Sequence, residues 1–397
     1  MLLVLLLAAV PILVDFRNQH LTYKKYAPNF DGVFTLFSPL PFVVLTTYEA
    51  VREAFVEKGD DYAGRPYFGE LTDALTYCKN GGVINSNGDN WREQRRTALS
   101  ILRDFGMGKN TMEQNVQSSI QDFLDYLDGV KDKNNVNMRW SIQMFADLAE
   151  GSLMFLLLGL PFLKYIPVLG WHALGKHQAN IRRMNRVVED DVDKALEGFD
   201  NDADEPSCFV QAYYQKMKEG SYLNKKQLVA TCSDFFLAGQ ETTSTTLRWS
   251  VLYLATNPAA QQKLRDEVLA VVGKDRMPSM QDKTKMPYAQ ACVLELQRKA
   301  NILSTNVLHA TTTDTTIMGR PVPANTMVMA DLNGLLAHGP LCNKSASALA
   351  RMELFLGVTA LVQRYRLLPS DSGPVDLTPV VNSVILPREQ CLKLERV

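Results

Sequence analysis

The 397-residue chain lacks a surplus of either charge: 42 lysines and arginines stand against 43 aspartates and glutamates, a formal charge of −1. That balance argues against nucleic acid as a partner, because a general nucleic-acid binder shows a basic excess or patch. Cysteine is sparse. Cys78, Cys208, Cys232, Cys292, Cys342 and Cys391 are scattered with no C-x-x-C pair, which suits reduced thiols and excludes a disulfide framework. There is no internal repeat and no low-complexity segment. With 46% apolar and 21% charged residues, disorder, collagen and coiled coil are excluded and a substantial core is affordable.

Long hydrophobic runs are also few. Residues 1–14 (MLLVLLLAAVPILV) carry no charge, and Asp15 and Arg17 end the run. As a helix it rises about 21 Å, short of the ~30 Å hydrocarbon core. No basic segment precedes it and no A-x-A-like cleavage site is clear, so a cleaved signal peptide fits poorly. A shortened membrane anchor over residues 1–16 and a signal or buried segment remain. The anchor is preferred, with Arg17, Lys24 and Lys25 on the cytosolic side and residues 17–397 as the folded domain. A second apolar run, residues 153–163, is broken by Gly159 and Pro161. It is too short to span and is expected in the core.

Periodicity predicts a mainly α protein, a large helical body with small β-sheets near both ends. Residues 30–47, rich in Phe, Val and Thr, read as two short strands in a hairpin. From Glu49 to about Thr313 the pattern is mostly helical. Apolar residues recur at three- and four-residue steps in 49–58, 90–103, 113–129, 140–158, 178–198, 225–256 and 258–272. Asn257-Pro258 stops one helix and starts the next. Residues 202–206 form an acidic loop, strand signals return over 315–330, a helix covers about 346–363, and the tail alternates prolines with short β-like runs.

Residues 225–256 would make a helix about 48 Å long, yet its centre, residues 238–246, reads AGQETTSTT. Gly costs roughly 1 kcal/mol against Ala and each Thr roughly half that, so this stretch gives up about 3 kcal/mol of helix propensity. Either the region is poorly packed, or it is a groove opened beside a ligand. In the second reading Gly239 lets a flat molecule approach the backbone, and Glu241 and Thr242 supply an acid and a hydroxyl for proton delivery. Two further constellations stand out. Glu295 and Arg298 share a helix face at i, i+3. Trp91 and Arg95 share one at i, i+4, where an indole and a guanidinium suit a planar anion. Alone, the first is commonly a solvated pair and the second a basic surface helix.

Together and in this order, the segments DYAGRP (61–66), NWREQRRTALSILRDFGMGKNTME (90–113), DFFLAGQETTSTTLRWSVLYLATNP (234–258), MPYAQACVLELQR (286–298) and LARMELFL (349–356) resemble microsomal cytochrome P450, the heme-thiolate monooxygenases, of the family 2-like group. The resemblance runs with gaps from about residue 28 to the end. It implies a cytochrome P450 fold and heme b (iron protoporphyrin IX) as cofactor. It also implies insertion of one atom of O2 into a hydrophobic substrate such as a lipid, steroid or xenobiotic. Electrons would come from an NADPH-dependent reductase, at the endoplasmic reticulum membrane with the catalytic domain cytosolic. By position, Trp91, Arg95, Arg65 and His309 match contacts to the heme propionates. Ala238, Gly239, Glu241 and Thr242 match the oxygen-binding groove and proton relay. Glu295 and Arg298 match a buried structural ion pair.

One part of the pattern is absent. The family's iron ligand is a cysteine thiolate, whose electron donation favours O–O cleavage, in a Phe-x-x-Gly-x-Arg-x-Cys-x-Gly loop. Here residues 337–351 read AHGPLCNKSASALAR. Cys342 lies seven residues before Leu349, where the family has five, and neither flanking glycine is present. The upstream Pro-Glu-Arg-Phe segment is missing too. Cys342 is the candidate metal ligand, and the alternative is a family member without the thiolate, lacking catalysis and at most a membrane-bound heme- or partner-binding protein.

Overall fold

The computed structural model describes Tyr23, Thr72 and residues 25–37, 40–69, 76–105, 110–137, 175–338, 348–381 and 384–397. The expected anchor over 1–16, the helical expectation at 140–158, the apolar run 153–163 and Cys342 lie outside the described residues. Among the described residues no helix is long and apolar enough to cross a membrane.

The hairpin forms as expected: β1 (Val33–Phe37) pairs antiparallel with β2 (Pro41–Leu45), Val33 opposite Leu45. Thr47 caps α1 (Tyr48–Arg52) by accepting from the Ala50 N–H at 3.4 Å, and the chain continues in a π-helical turn to Glu57. There follow α2 (Gly88–Asp104), α3 (Asn110–Gly129), β3 (Val136–Asn137), α4 (Lys176–Leu196), α5 (Phe209–Lys216), α6 (Lys225–Thr256), α7 (Pro258–Val271) and α8 (Pro287–Ala300). Four short strands come next, β4 (His309–Ala310), β5 (Thr315–Ile317), β6 (Arg320–Val322) and β7 (Met327–Ala330), then α9 (Leu332–His338) and α10 (Ala348–Arg364). The tail supplies β8 (Tyr365–Pro369), β9 (Pro379–Val381), β10 (Ile385–Pro387) and β11 (Cys391–Arg396).

The punctuation has physical causes. Pro258 and Pro287 stand at the first turns of α7 and α8, where a missing N–H costs nothing. Asn301 closes α8 in the left-handed region (φ 37°), a conformation asparagine tolerates. Between the helical segments expected at 49–58 and 90–103, the described residues from Lys58 to Asn87 are mostly turns and extended chain. Pro66 and the Gly81-Gly82 pair oppose helix there. Gly82 has φ 74° and packs so closely on the Asp234 carboxylate that a side chain would collide with it. Residues 301–308, where helical spacing reads on to about Thr313, are instead irregular before β4.

The chain forms two compact units. The first comprises residues up to Ile101, 143–237 and 303–341; the second comprises 102–142, 238–302 and 342–397. Helix α6 belongs to the first through Leu237 and to the second from Ala238.

In the first unit a four-stranded sheet has the order β1-β2-β7-β4, with β2 and β7 parallel. Its core gathers Val33, Val43, Leu45, Ala50, Tyr62, Ile317 and Val328. The second unit packs its share of α6 with α3, α7, α8 and α10 around Leu124, Leu252, Leu264, Val293, Phe355 and Leu361. Trp249 is 2% exposed, and its indole N–H donates to the Ile385 carbonyl at 2.9 Å. A side chain of that size buried with its donor satisfied is worth roughly 2–3 kcal/mol.

The poor helix formers in α6 find local partners. Thr242 donates to the Ala238 carbonyl at 2.7 Å, Thr246 to Thr242 at 2.8 Å and Ser250 to Thr246 at 2.7 Å. Each hydroxyl is thereby satisfied without leaving the helix, which lets a threonine-rich stretch run through a buried region.

Candidate active site

In the first unit four sequence-predicted residues come together. Gly64 bridges Ala310, so the loop carrying Arg65 runs beside β4. Asn87 fixes the Arg65 backbone from both sides: the Arg65 N–H donates to Asn87 Oδ1 at 2.5 Å, and Asn87 Nδ2 donates to the Arg65 carbonyl at 3.2 Å. The guanidinium donates from Nε to the Ile84 carbonyl at 2.8 Å, while its Nη1 is buried with no hydrogen-bond partner. Burial, and then the charge of Arg95, lower its pKa. On α2 the Arg95 guanidinium lies over the Trp91 ring, 5.7 Å from its centroid. His309 Nδ1 meets the Tyr62 carbonyl at 2.7 Å and the ring packs on Phe55. Burial, with a further contribution from Arg65, pushes its pKa down to about 4, so the imidazole is neutral. Two cations, one buried donor without an acceptor and an indole make a seat for a carboxylate.

The loop beneath this seat is held by two α6 residues that sequence reasoning missed. Asp234 accepts from the Val83 and Ile84 N–H groups at 2.7 and 2.9 Å, and Gln227 accepts from the Gly82 N–H at 3.0 Å. Burial pushes the Asp234 carboxyl up to about 6. The signal was present: a carboxylate in the otherwise uncharged stretch from Leu228 to Gln240 has a reason to be there.

In the second unit, Ala238 and Gly239 are exposed in the middle of α6, and a side chain added at Gly239 would meet nothing within 4 Å. Glu241 is 5% exposed and accepts from Thr245 Oγ1 at 3.2 Å. Neighbouring helix positions project about 100° apart, so Glu241 and Thr242 are directed to different partners, Thr245 and Ala238. Thr243 Oγ1 donates to Glu353 at 2.8 Å, and burial raises the Glu353 pKa. The pair borders a cavity of about 340 Å3 lined also by Val116, Ile120, Phe123 and Leu247.

Glu295 and Arg298 form a two-bond clamp at 2.6 and 2.7 Å, which lowers the Glu295 pKa. The pair is not buried as the resemblance implied: the Glu295 side chain is 54% exposed and Arg298 24%. Glu295 lines an open cavity of about 480 Å3 with Tyr288, Cys292 and Leu296.

The donor set fits heme on one side only. Arg65, with its unfilled Nη1 donor, and Arg95 suit a propionate-bearing cofactor. Burial raises the pKa of the Cys78 and Cys292 thiols and pushes Cys232 up to about 12, all away from the thiolate. No cluster of three or more His, Cys, Asp or Glu among the described residues could hold a metal ion.

Comparison with known proteins settles the class. A sequence model of the family "Cytochrome P450" matches residues 4–156 and 142–338, so the chain belongs to the cytochrome P450 family, the heme monooxygenases, whose cofactor is heme b. Among its relatives are cytochrome P450 2H2 of Gallus gallus, 30% identical over 423 residues (91% of this chain, 84% of the relative), and cytochrome P450 2C14 of Oryctolagus cuniculus, 30% identical over 434 residues (93% and 88%). Cytochrome P450 2C8 of Homo sapiens is 30% identical over 417 residues (89% and 84%). These alignments are longer than the 397-residue chain itself, so the relatives carry segments with no counterpart here.

Proposed function

We propose that the chain is a heme-dependent monooxygenase that inserts one atom of O2 into a small hydrophobic organic substrate, such as a lipid, steroid or xenobiotic. The other atom leaves as water with two electrons from an NADPH-dependent reductase. The observation that carries this reading is the Arg65–Arg95–Trp91 seat with its unfilled buried donor. Heme, when bound, supplies the iron centre at which dioxygen is activated. Arg65 and Arg95 hold its carboxylates and orient it, with neutral His309 beside them. Ala238 and Gly239 leave the α6 backbone accessible to a flat ligand. Thr242 keeps its hydroxyl proton on the Ala238 carbonyl, and breaking that one bond frees it to donate elsewhere. Glu241 holds a carboxylate one position away. Cys342 is the thiolate candidate. The uncharged run 1–14 supports anchoring in the endoplasmic reticulum membrane with the folded domain cytosolic.

A second reading, a heme-binding member without oxygenase catalysis, is favoured by residues 337–351, which lack the cysteine loop. Reduction under carbon monoxide separates the two. A red-shifted thiolate-type Soret band that Cys342→Ala abolishes supports the monooxygenase. A heme spectrum without it supports the second reading and rules out thiolate chemistry for this chain.

A further inference from the structure

We propose that the cavity between α3, α6 and α10 in the second unit is a binding site for a small apolar amine, whose protonated nitrogen pairs with Glu353. The inference goes beyond the monooxygenase reading and does not depend on it, because the cavity shares no residue with the groups assigned there.

Three helices of one unit build the walls. Val116, Ile120 and Phe123 come from α3, Leu247 from α6 and Leu361 from α10. Steps of four and three residues put the α3 group on one helix face. Leu247 and Leu361 are buried at the inner side, whereas Asn115 and Ser119 on α3 are exposed and mark the mouth. The volume of about 340 Å3 lies within the range of small-molecule sites, about 300–1,000 Å3, which are mostly apolar with a few polar groups that fix orientation.

Glu353 is the charged group on this cavity, and its own fold leaves the charge unanswered. The Thr243 hydroxyl donates to Oε2 at 2.8 Å and is its hydrogen-bond partner among the described residues. No lysine or arginine among them pairs with it. Arg351 stands two positions away on α10 and is exposed, and a step of two residues turns it about 200° round the helix. Burial raises the Glu353 pKa, so folding has already desolvated this carboxylate. A cation delivered to it gains a charge-assisted hydrogen bond without repeating that cost. An alcohol offers a neutral bond only, and an anion is repelled. The apolar walls require that the nitrogen arrive on a hydrocarbon body.

The test uses the full chain with the heme it carries. Phenylbutylamine, phenylbutanol and phenylbutanoate share one hydrocarbon body and differ in the head group. Each is titrated calorimetrically near pH 7, where an alkylamine, like lysine, is protonated, and the Soret band is recorded alongside. The amine should bind one per chain and at least about tenfold tighter than the alcohol, a difference of about 1.4 kcal/mol. The carboxylate should bind weakest. Glu353→Gln keeps an oxygen for Thr243 and removes the charge. It should weaken the amine at least about tenfold while the alcohol shifts by less than about threefold. Ile120→Trp fills the cavity and should weaken amine and alcohol alike by at least about tenfold, which decides the matter if Glu353→Gln fails to fold. The inference is overturned if the amine binds no tighter than the alcohol or not at all, or if both variants leave its affinity unchanged. A binding curve that tracks a Soret shift places the nitrogen on iron and overturns it as well.

Discussion

Two guanidiniums that the sequence analysis picked out end in opposite states. Arg298 is clamped by the Glu295 carboxylate through two bonds, and its charge is answered within its own helix. Arg65 is pinned at Nε by a carbonyl, sits near a second cation and keeps a buried nitrogen without an acceptor. The first arrangement is complete and can only hold structure. The second is incomplete in a way a carboxylate would complete. The difference teaches that a charged residue becomes a candidate binding group when its own fold leaves its hydrogen bonds unfinished.

That contrast can be broken at several points. The largest stability effect is expected at Asp234, which braces the loop under Arg65. Its folded pKa is about 6 against 3.8 for the ordinary carboxyl. A raised carboxyl contributes stability that is complete below about pH 4 and is lost as pH rises through about 6. Asp234→Asn keeps an oxygen for Val83 and Ile84 but removes the titration. Urea unfolding from pH 4 to 7 should therefore show the native chain losing roughly 2–3 kcal/mol relative to the variant. A pH-independent difference would show that the carboxyl is not strained by burial.

Glu295→Gln should matter less. The pair is largely exposed on the Glu295 side, so its loss should cost about 0.5 kcal/mol and lower the melting temperature by about 1–2 °C. Porphyrin affinity should not change. A loss above about 2 kcal/mol would mean that the clamp is a buried keystone after all. Smallest of all is the stability effect expected for Arg65→Met. Relief of a desolvated cation beside Arg95 offsets the lost bond to Ile84, and the melting temperature should stay within about 1 °C. A large drop would make Arg65 structural and erase the contrast with Arg298.

Much of the scaffold was legible in the sequence because local rules and tertiary packing agreed. Helix α6 fills the residues marked out by periodicity, and the Asn257-Pro258 break falls where proline chemistry puts it. The hairpin of β1 and β2 follows from its β-branched and aromatic run. Apolar spacing does not register what Gly82 does between α1 and α2, which is a close approach to the Asp234 carboxylate.

The site was legible as a set of residue types and less so as an arrangement. Trp91 and Arg95 meet by helix geometry alone, and so do Glu295 and Arg298. The exposure of Glu295 depends on which segments surround it, and the relatives' longer alignments show that segments are absent here. No spacing rule connects Arg65 to Ile84 and Asn87, since the Ile84 side of that arrangement comes from a loop held by α6.

The central claim is that Arg65 and Arg95 form the carboxylate seat of the cofactor. The most direct measurement is a heme titration of the purified chain against the Arg65→Ala/Arg95→Ala double variant, read by Soret absorbance. The account predicts saturation at one heme per native chain and at least about a hundredfold weaker binding by the double variant, about 2.7 kcal/mol. Equal affinities in the two proteins would contradict it.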